Sequence, residues 1–243
     1  FRHNEVVHTV WPHTHVAMVE QREWLRSFPA LLQVGDDRIA EFYALQALSA
    51  ERVAGHEANV LLVRPRDAHR FGYRLWAERK SGLLLRADVL GERGDVLETS
   101  AFSEVTIGGR SQPEAILQSM KRLEGYRVVR ASMTPTSLES EGWIMRGAVP
   151  GFREVSCVKR PMDDAASGEL AHQAVQTIYS DGLTYVSVFI ESFDPQRHTR
   201  AALSAHGATQ TLMRRQGEWW VTVVGDVPVI TLRAFANGLE RKK

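Results

Sequence analysis

The chain has 243 residues, 44% of them hydrophobic and 24% charged, with a formal net charge of +1. That composition fits one or two globular domains and excludes a disordered or fibrous chain, and so balanced a charge lacks the basic footprint of a nucleic-acid-binding protein. No run approaches the roughly 20 apolar residues of a membrane-spanning helix. The single cysteine, Cys157, has no partner within the chain for a disulfide and reads as a small buried residue on a strand.

In chain order, residues 4–10 and Val16 to Glu20 read as two edge-type strands around the Trp11-Pro12 turn, because Pro is confined to edges and turns. A helix follows. Asp36 and Asp37 stand where cap and first-turn acids belong, and Ile39, Phe42, Tyr43 and Gln46 recur at i, i+3, i+4 and i+7. Val53 to Val63 forms a strand pair about Gly55. Tyr73 to Trp76, Leu83 to Arg86 and Thr99 to Phe102 then form an antiparallel meander turning at Lys80-Ser81-Gly82 and Glu92-Arg93-Gly94. Gly108-Gly109 breaks the sheet, and Ser111-Gln112-Pro113-Glu114 caps a helix through Ile116, Leu117, Met120 and Leu123 that stops at Gly125.

Beyond it, Tyr126 to Ser132, Trp143 to Ala148 and Glu154 to Val158 are strand candidates, with Met162 to Ser167 a polar connector. Asp181-Gly182 turns a hairpin between Thr177-Ile178-Tyr179 and Tyr185 to Ile190, and Gln216-Gly217 turns another between Leu212-Met213 and Trp219 to Val224. Pro228 opens a last helix carrying Leu232, Phe235, Ala236 and Leu239 at helical spacing. The expected class is α+β in two domains: residues 1–107, a helical linker over 108–125, and a smaller sheet-and-helix domain over 126–243.

Chemistry leaves little trace. There is no Gly-x-Ser-x-Gly elbow, His-Glu-x-x-His helix, Gly-Lys-Ser/Thr phosphate loop or Gly-x-Gly-x-x-Gly turn, so no catalytic residue, cofactor or metal is expected. His13-x-His15 supplies two imidazoles beside a Pro, too few for a metal site. Binding features are clearer. Trp219 and Trp220 project to opposite faces of one strand, so one indole is exposed unless both faces are covered, and Arg214-Arg215 lies across the turn. Trp and Arg dominate protein interfaces, which makes these four residues the candidates for binding a partner. The apolar segment containing Trp24, Phe28, Leu31 and Leu32, with Phe42 and Tyr43, reads either as the lid of a cavity or as core.

The Tyr-x-Leu-Trp strand at Tyr73, the leucine-rich strand closed by Arg86 and the Val-Leu-Glu-Thr strand resemble the sheet of periplasmic lipoprotein-carrier-like domains. Ile178 to Leu183 and Val223 to Pro228, with Trp143, Pro150-Gly151-Phe152 and Arg160-Pro161, resemble the MucB/RseB family, negative regulators of an envelope-stress sigma factor. The resemblance implies an unclosed, helix-capped barrel whose cavity, with Trp76 among its lining candidates, takes lipid or lipopolysaccharide acyl chains. Phosphate-binding arginines would stand at its mouth, for which Arg22, Arg26, Arg74 and Arg86 are candidates. It also implies a periplasmic location, with a signal peptide and further elements upstream of Phe1. The partner would be the periplasmic region of a membrane-spanning anti-sigma factor, shielded from the protease that starts the stress response. The competing reading is a lipid or lipoprotein carrier, and either protein is a possible homo-oligomer.

Overall fold

A computed structural model describes residues 2–3, 6–21, 39–109, 114, 117–118, 120, 122–131, 133–147, 149–164 and 169–242. Among these residues the fold is mostly sheet with few helices, and none of its four sheets closes into a barrel. Strands β1 (Arg2–His3), β2 (Val6–Trp11) and β3 (Val16–Gln21) form an antiparallel run, with β2 and β3 joined as a hairpin. A one-turn helix, α1 (Ile39–Phe42), leads into the antiparallel meander β4 (Tyr43–Val53), β5 (His56–Pro65), β6 (Gly72–Glu78), β7 (Leu84–Leu90) and β8 (Val96–Ala101).

The meander expected between Tyr73 and Phe102 is present with both glycine turns. Gly82 and Gly94 have φ of +71° and +80°, a conformation that costs a residue without Cβ little. The helix expected to run from Ile39 through Gln46 ends instead at Phe42. From Tyr43 the backbone pairs with β5, from Tyr43↔Pro65 to Val53↔His56, and a ladder of that length outweighs the small gain of about one more helical turn. Asp36 and Asp37 lie outside the described residues.

Further along, Glu114, Leu117, Gln118 and Met120 are helical, as the capping sequence predicts, and the chain enters β9 (Arg127–Ala131). Assigned from sequence to the smaller part, β9 pairs in parallel with β3, Val16↔Arg127 to Glu20↔Ala131, and completes the first four-stranded sheet. β3 is therefore an interior strand. The next strands are β10 (Thr134–Pro135), β11 (Trp143–Met145), β12 (Arg153–Asp164), β13 (Glu169–Ser180), β14 (Tyr185–Ser192), β15 (Ala202–His206), β16 (Thr209–Gln216) and β17 (Trp219–Gly225). The C-terminal helix α2 (Val229–Gly238) and β18 (Leu239–Arg241), which pairs with β11, end the fold. Seven strands make one sheet in the order β10-β12-β13-β14-β17-β16-β15. The expected polar connector is strand as far as Asp164, because the ladder continues to Asp164↔Glu169 and backbone pairing overrides side-chain polarity.

Helix α2 lies on this sheet through Leu232, Phe235 and Ala236, which meet Val188, Val221, Val223 and Tyr179 in the largest core cluster. Phe235 sits edge-on to Phe152 with centroids 5.6 Å apart. Burying each such large apolar side chain stabilises the fold by about 1.5 to 3 kcal/mol. Cys157 lies in the same cluster on β12 at 8% exposure, and burial, with Glu154 nearby, pushes its thiol up to about 11. It should therefore resist a neutral-pH disulfide reagent in the folded protein and react fully in denaturant. Fast native-state labelling would place it outside the core.

Candidate functional site

The joint between the meander and the seven-stranded sheet holds a buried polar arrangement. At its centre is Asp181, in the β13–β14 loop. Its Oδ1 accepts hydrogen bonds from the Leu183 and Thr184 amides, each at 2.9 Å, the Asx geometry that lets aspartate shape a turn. Its Oδ2 accepts from Arg70 Nε at 2.7 Å and from the Tyr43 hydroxyl at 2.9 Å. Both side chains of the ion pair are fully buried.

Arg70 spends its remaining donors on Asp67, at 2.5 Å, and on the carbonyl oxygen of Pro150. Its guanidinium lies 4.4 Å from the Phe42 ring centroid and 4.9 Å from that of Phe152. The next residue after Pro150 must be small. Gly151 has φ +83°, and a Cβ there would lie 2.7 Å from the Phe42 ring. Burial, then the negative charge of Asp181, raises the Tyr43 hydroxyl well above the usual phenol range, so it stays a donor. Nearby, Leu183 packs into the cluster of Tyr43, Val63, Tyr73 and Leu75, and Thr231 at the start of α2 donates to the His69 carbonyl at 2.8 Å. The meander and the seven-stranded sheet are thus tied by buried, satisfied polar contacts.

Of the cavity candidates, Trp24, Phe28, Leu31 and Leu32 lie outside the described residues, as do Arg22 and Arg26. The other three do not share one face. Tyr43 belongs to the joint cluster with Phe42 packed against it, whereas Trp76 belongs to a second cluster with Ala58, Val60 and Leu85. Alternation along the strands puts Tyr73 and Trp76 on opposite sides of the meander, and with them the two clusters. Trp76 is 2% exposed and donates to Glu51 at 2.9 Å.

The two remaining head-group candidates share the Trp76 face. Arg86 is committed, since both its Nε and Nη2 bond Asp88 at 2.8 Å while its guanidinium covers Trp76 at 4.4 Å. Arg74 is different. It lies 5.9 Å from the Trp76 ring, and its buried Nε has no hydrogen-bond partner among the described residues. An open concavity of about 440 Å³ at the turns of the meander is lined mainly by the charged side chains of Arg52, Glu57, Glu78, Arg79 and Lys80, with His56 and Ile107 beside them.

The partner-binding candidates are largely engaged within the fold. Trp220 is 5% exposed and stacks on His198 with centroids 4.8 Å apart and an interplanar angle of 11°. Trp219, half-buried on the other face, meets Trp143 edge-on at 5.6 Å beneath the Arg241 guanidinium. Both faces of this strand are therefore covered. Arg214 bonds Asn237 at 2.7 Å and the Ala236 carbonyl, capping the end of α2. Arg215 alone is exposed, over Phe193 at 3.9 Å. His13 and His15 sit on an exposed turn, and no cluster of three or more metal-ligating side chains occurs among the described residues. Sequence reading missed Arg70 and Asp181 as a pair; Asp181 was seen only as a turn residue.

Sequence models of the MucB/RseB N-terminal domain and the MucB/RseB C-terminal domain match residues 1–121 and 137–240. The chain belongs to the MucB/RseB family. This is a family of regulatory binding proteins rather than enzymes. Among its relatives, the sigma factor AlgU regulatory protein MucB of Pseudomonas aeruginosa is 32% identical over 203 residues, 82% of this chain and 61% of that protein. The sigma-E factor regulatory protein RseB of Escherichia coli K12 is 24% identical over 215 residues, 88% of this chain and 64% of that protein. The chain spans less than two thirds of the length of these relatives. Solved structures are similar in fold: MucB in complex with MucA(peri), TM-score 0.63 at 27% identity over 86% of this chain and 71% of that one. A second MucB structure gives 0.64 at 25% identity over 89% and 69%.

Proposed function

We propose that this family member acts in the periplasm, where it binds the periplasmic region of a membrane-spanning anti-sigma factor and shields it from regulated proteolysis. The observation that carries this reading is the likeness, through both parts of the chain, to MucB solved in complex with MucA(peri). No chemistry of its own is assigned to the chain; its work is binding. Purified protein titrated calorimetrically with the cognate periplasmic region should give a saturable one-to-one heat, and the complex should slow cleavage of that region by the initiating protease. Absence of both sinks the reading.

Release by lipid belongs to the same proposal. Residues 1–107 would form the lipoprotein-carrier-like domain, 108–125 the linker and 126–243 the smaller domain, with acyl chains on the Trp76 face and Arg74 at the head group. Arg74 supports this, since a buried guanidinium nitrogen without a partner suits an incoming phosphate or carboxylate. If lipid weakens partner binding tenfold, about 1.4 kcal/mol, the partner must weaken lipid binding by the same factor. A hinge at Gly108-Gly109 and Gly125 would have to break the Arg70–Asp181 pair, which favours direct overlap of the two ligands over a swinging linker. The carrier reading alone leaves the second, tightly docked part without a task.

A further inference from the structure

The seven-stranded sheet ends in an edge that nothing among the described residues covers. Strand β15 pairs only with β16, from Ala202↔Met213 to His206↔Thr209, without a register shift. Which of its backbone groups face outward follows from a single bond. Phe193 N donates to the Glu218 carbonyl at 2.9 Å, so that pair is bonded across β14 and β17, and Trp219, one residue on, turns its N–H and C=O away from β14 to β16. Carrying the alternation through Gln216↔Trp219 and then Thr209↔His206 makes Ala202, Ser204 and His206 the residues that bond β16. Leu203 and Ala205 therefore direct their N–H and C=O groups outward.

Proteins guard such edges with Lys, Pro, bulges or very short strands. Ala202-Leu203-Ser204-Ala205-His206 carries none of the first three, and its side chains are small apart from Leu203 and His206. Leu203 is 47% exposed. It also ends a row that crosses the sheet by register, Cys157, Thr177, Val188, Val223, Leu212 and Leu203, of which the first four are buried. An apolar side chain on an added strand opposite Leu203 would extend that row. Just before β15, Arg200 is exposed and has no ion pair among the described residues, and Arg215 on β16 is also exposed.

We propose that β15 is a docking strand: an extended segment of the anti-sigma partner adds beside it as an eighth strand, with an apolar residue opposite Leu203 and an acidic residue near Arg200. This rests on the regulatory reading above. Backbone pairing supplies affinity and the alternate side chains supply selectivity, as in other strand-addition complexes. A second copy fits less well. Two copies joined through five residues would bury well under the roughly 1,000 Å² of a stable interface, whereas a linear segment runs past both ends of the edge.

The test is calorimetric titration of the cognate periplasmic region into wild type, Ala205→Pro and Arg200→Glu, each checked for an unchanged urea midpoint. Proline at 205 removes only an outward N–H and leaves the β15–β16 ladder whole. At least tenfold weaker binding in Ala205→Pro, a weaker and less salt-sensitive complex in Arg200→Glu, and slowed exchange of the Leu203 and Ala205 amides in the wild-type complex are expected. Affinities within twofold of wild type, with no amide protection, overturn the docking strand while the partner reading stands. No binding by wild type overturns the regulatory reading and this inference together. A concentration-dependent doubling of mass that Ala205→Pro abolishes assigns the edge to a second copy and also overturns it.

Discussion

Asp181→Ala is expected to lower the free energy of unfolding by about 3 to 5 kcal/mol, because removing one member of a buried ion pair strands the other charge away from water. Arg70 would keep Asp67 and the Pro150 carbonyl but lose its only fully buried counter-charge, and the Tyr43 hydroxyl would lose its acceptor. The Leu183 and Thr184 amides would lose theirs as well. Replacing both charges, Arg70→Met with Asp181→Leu, should recover a large part of the loss, since two matched apolar side chains no longer carry a desolvation cost. Tyr43→Phe should cost only about 1 to 2 kcal/mol, because the carboxylate retains Arg70 and two amides. Urea unfolding by linear extrapolation measures all three. A cost below about 1 kcal/mol for Asp181→Ala would mean that water reaches the joint and that the two parts separate easily.

Trp220→Ala should destabilise the protein by about 3 to 5 kcal/mol, the range for deleting a large buried aromatic side chain. The indole packs against both His198 and Phe193, which also touch each other, and has almost no exposed surface, so its loss leaves a cavity rather than a smoother surface. Partner affinity, measured where the variant is still folded, should stay within a few fold of wild type. That outcome separates a structural tryptophan from an interface anchor. An unchanged urea midpoint together with lost binding would restore Trp220 as a contact residue and contradict the packing. Trp219→Ala should cost less, because that ring is only half-buried and its neighbours Trp143 and Arg241 can close part of the gap.

The meander, the hairpins at Asp181-Gly182 and Gln216-Gly217, and the helix after Pro228 were legible in the sequence. Turn chemistry and hydrophobic period act within a few residues, so the sequence carries them in place. The family was legible too, through local patterns spread along both parts of the chain. The helix at Ile39 was misjudged in length because Ile39, Phe42, Tyr43 and Gln46 match the helical period, while the strand partner that overrode it lies across a hairpin. The indole pair at Trp219 was read correctly as two-faced. What covers each face depended on Trp143, His198 and Arg241, none of them neighbours in sequence.

By itself, then, the sequence determined the meander, the two hairpins with their turns and the membership of a binding rather than catalytic family. Tertiary structure decided that β9 joins the first sheet in parallel, that β15 is left as an open edge, and that Arg70 meets Asp181 across 111 residues of chain. Alternation and turn residues are enforced locally by backbone sterics and hydrogen bonding. An arginine and an aspartate, by contrast, are ordinary surface residues until folding removes water from both at once, and only then does their pairing become obligatory.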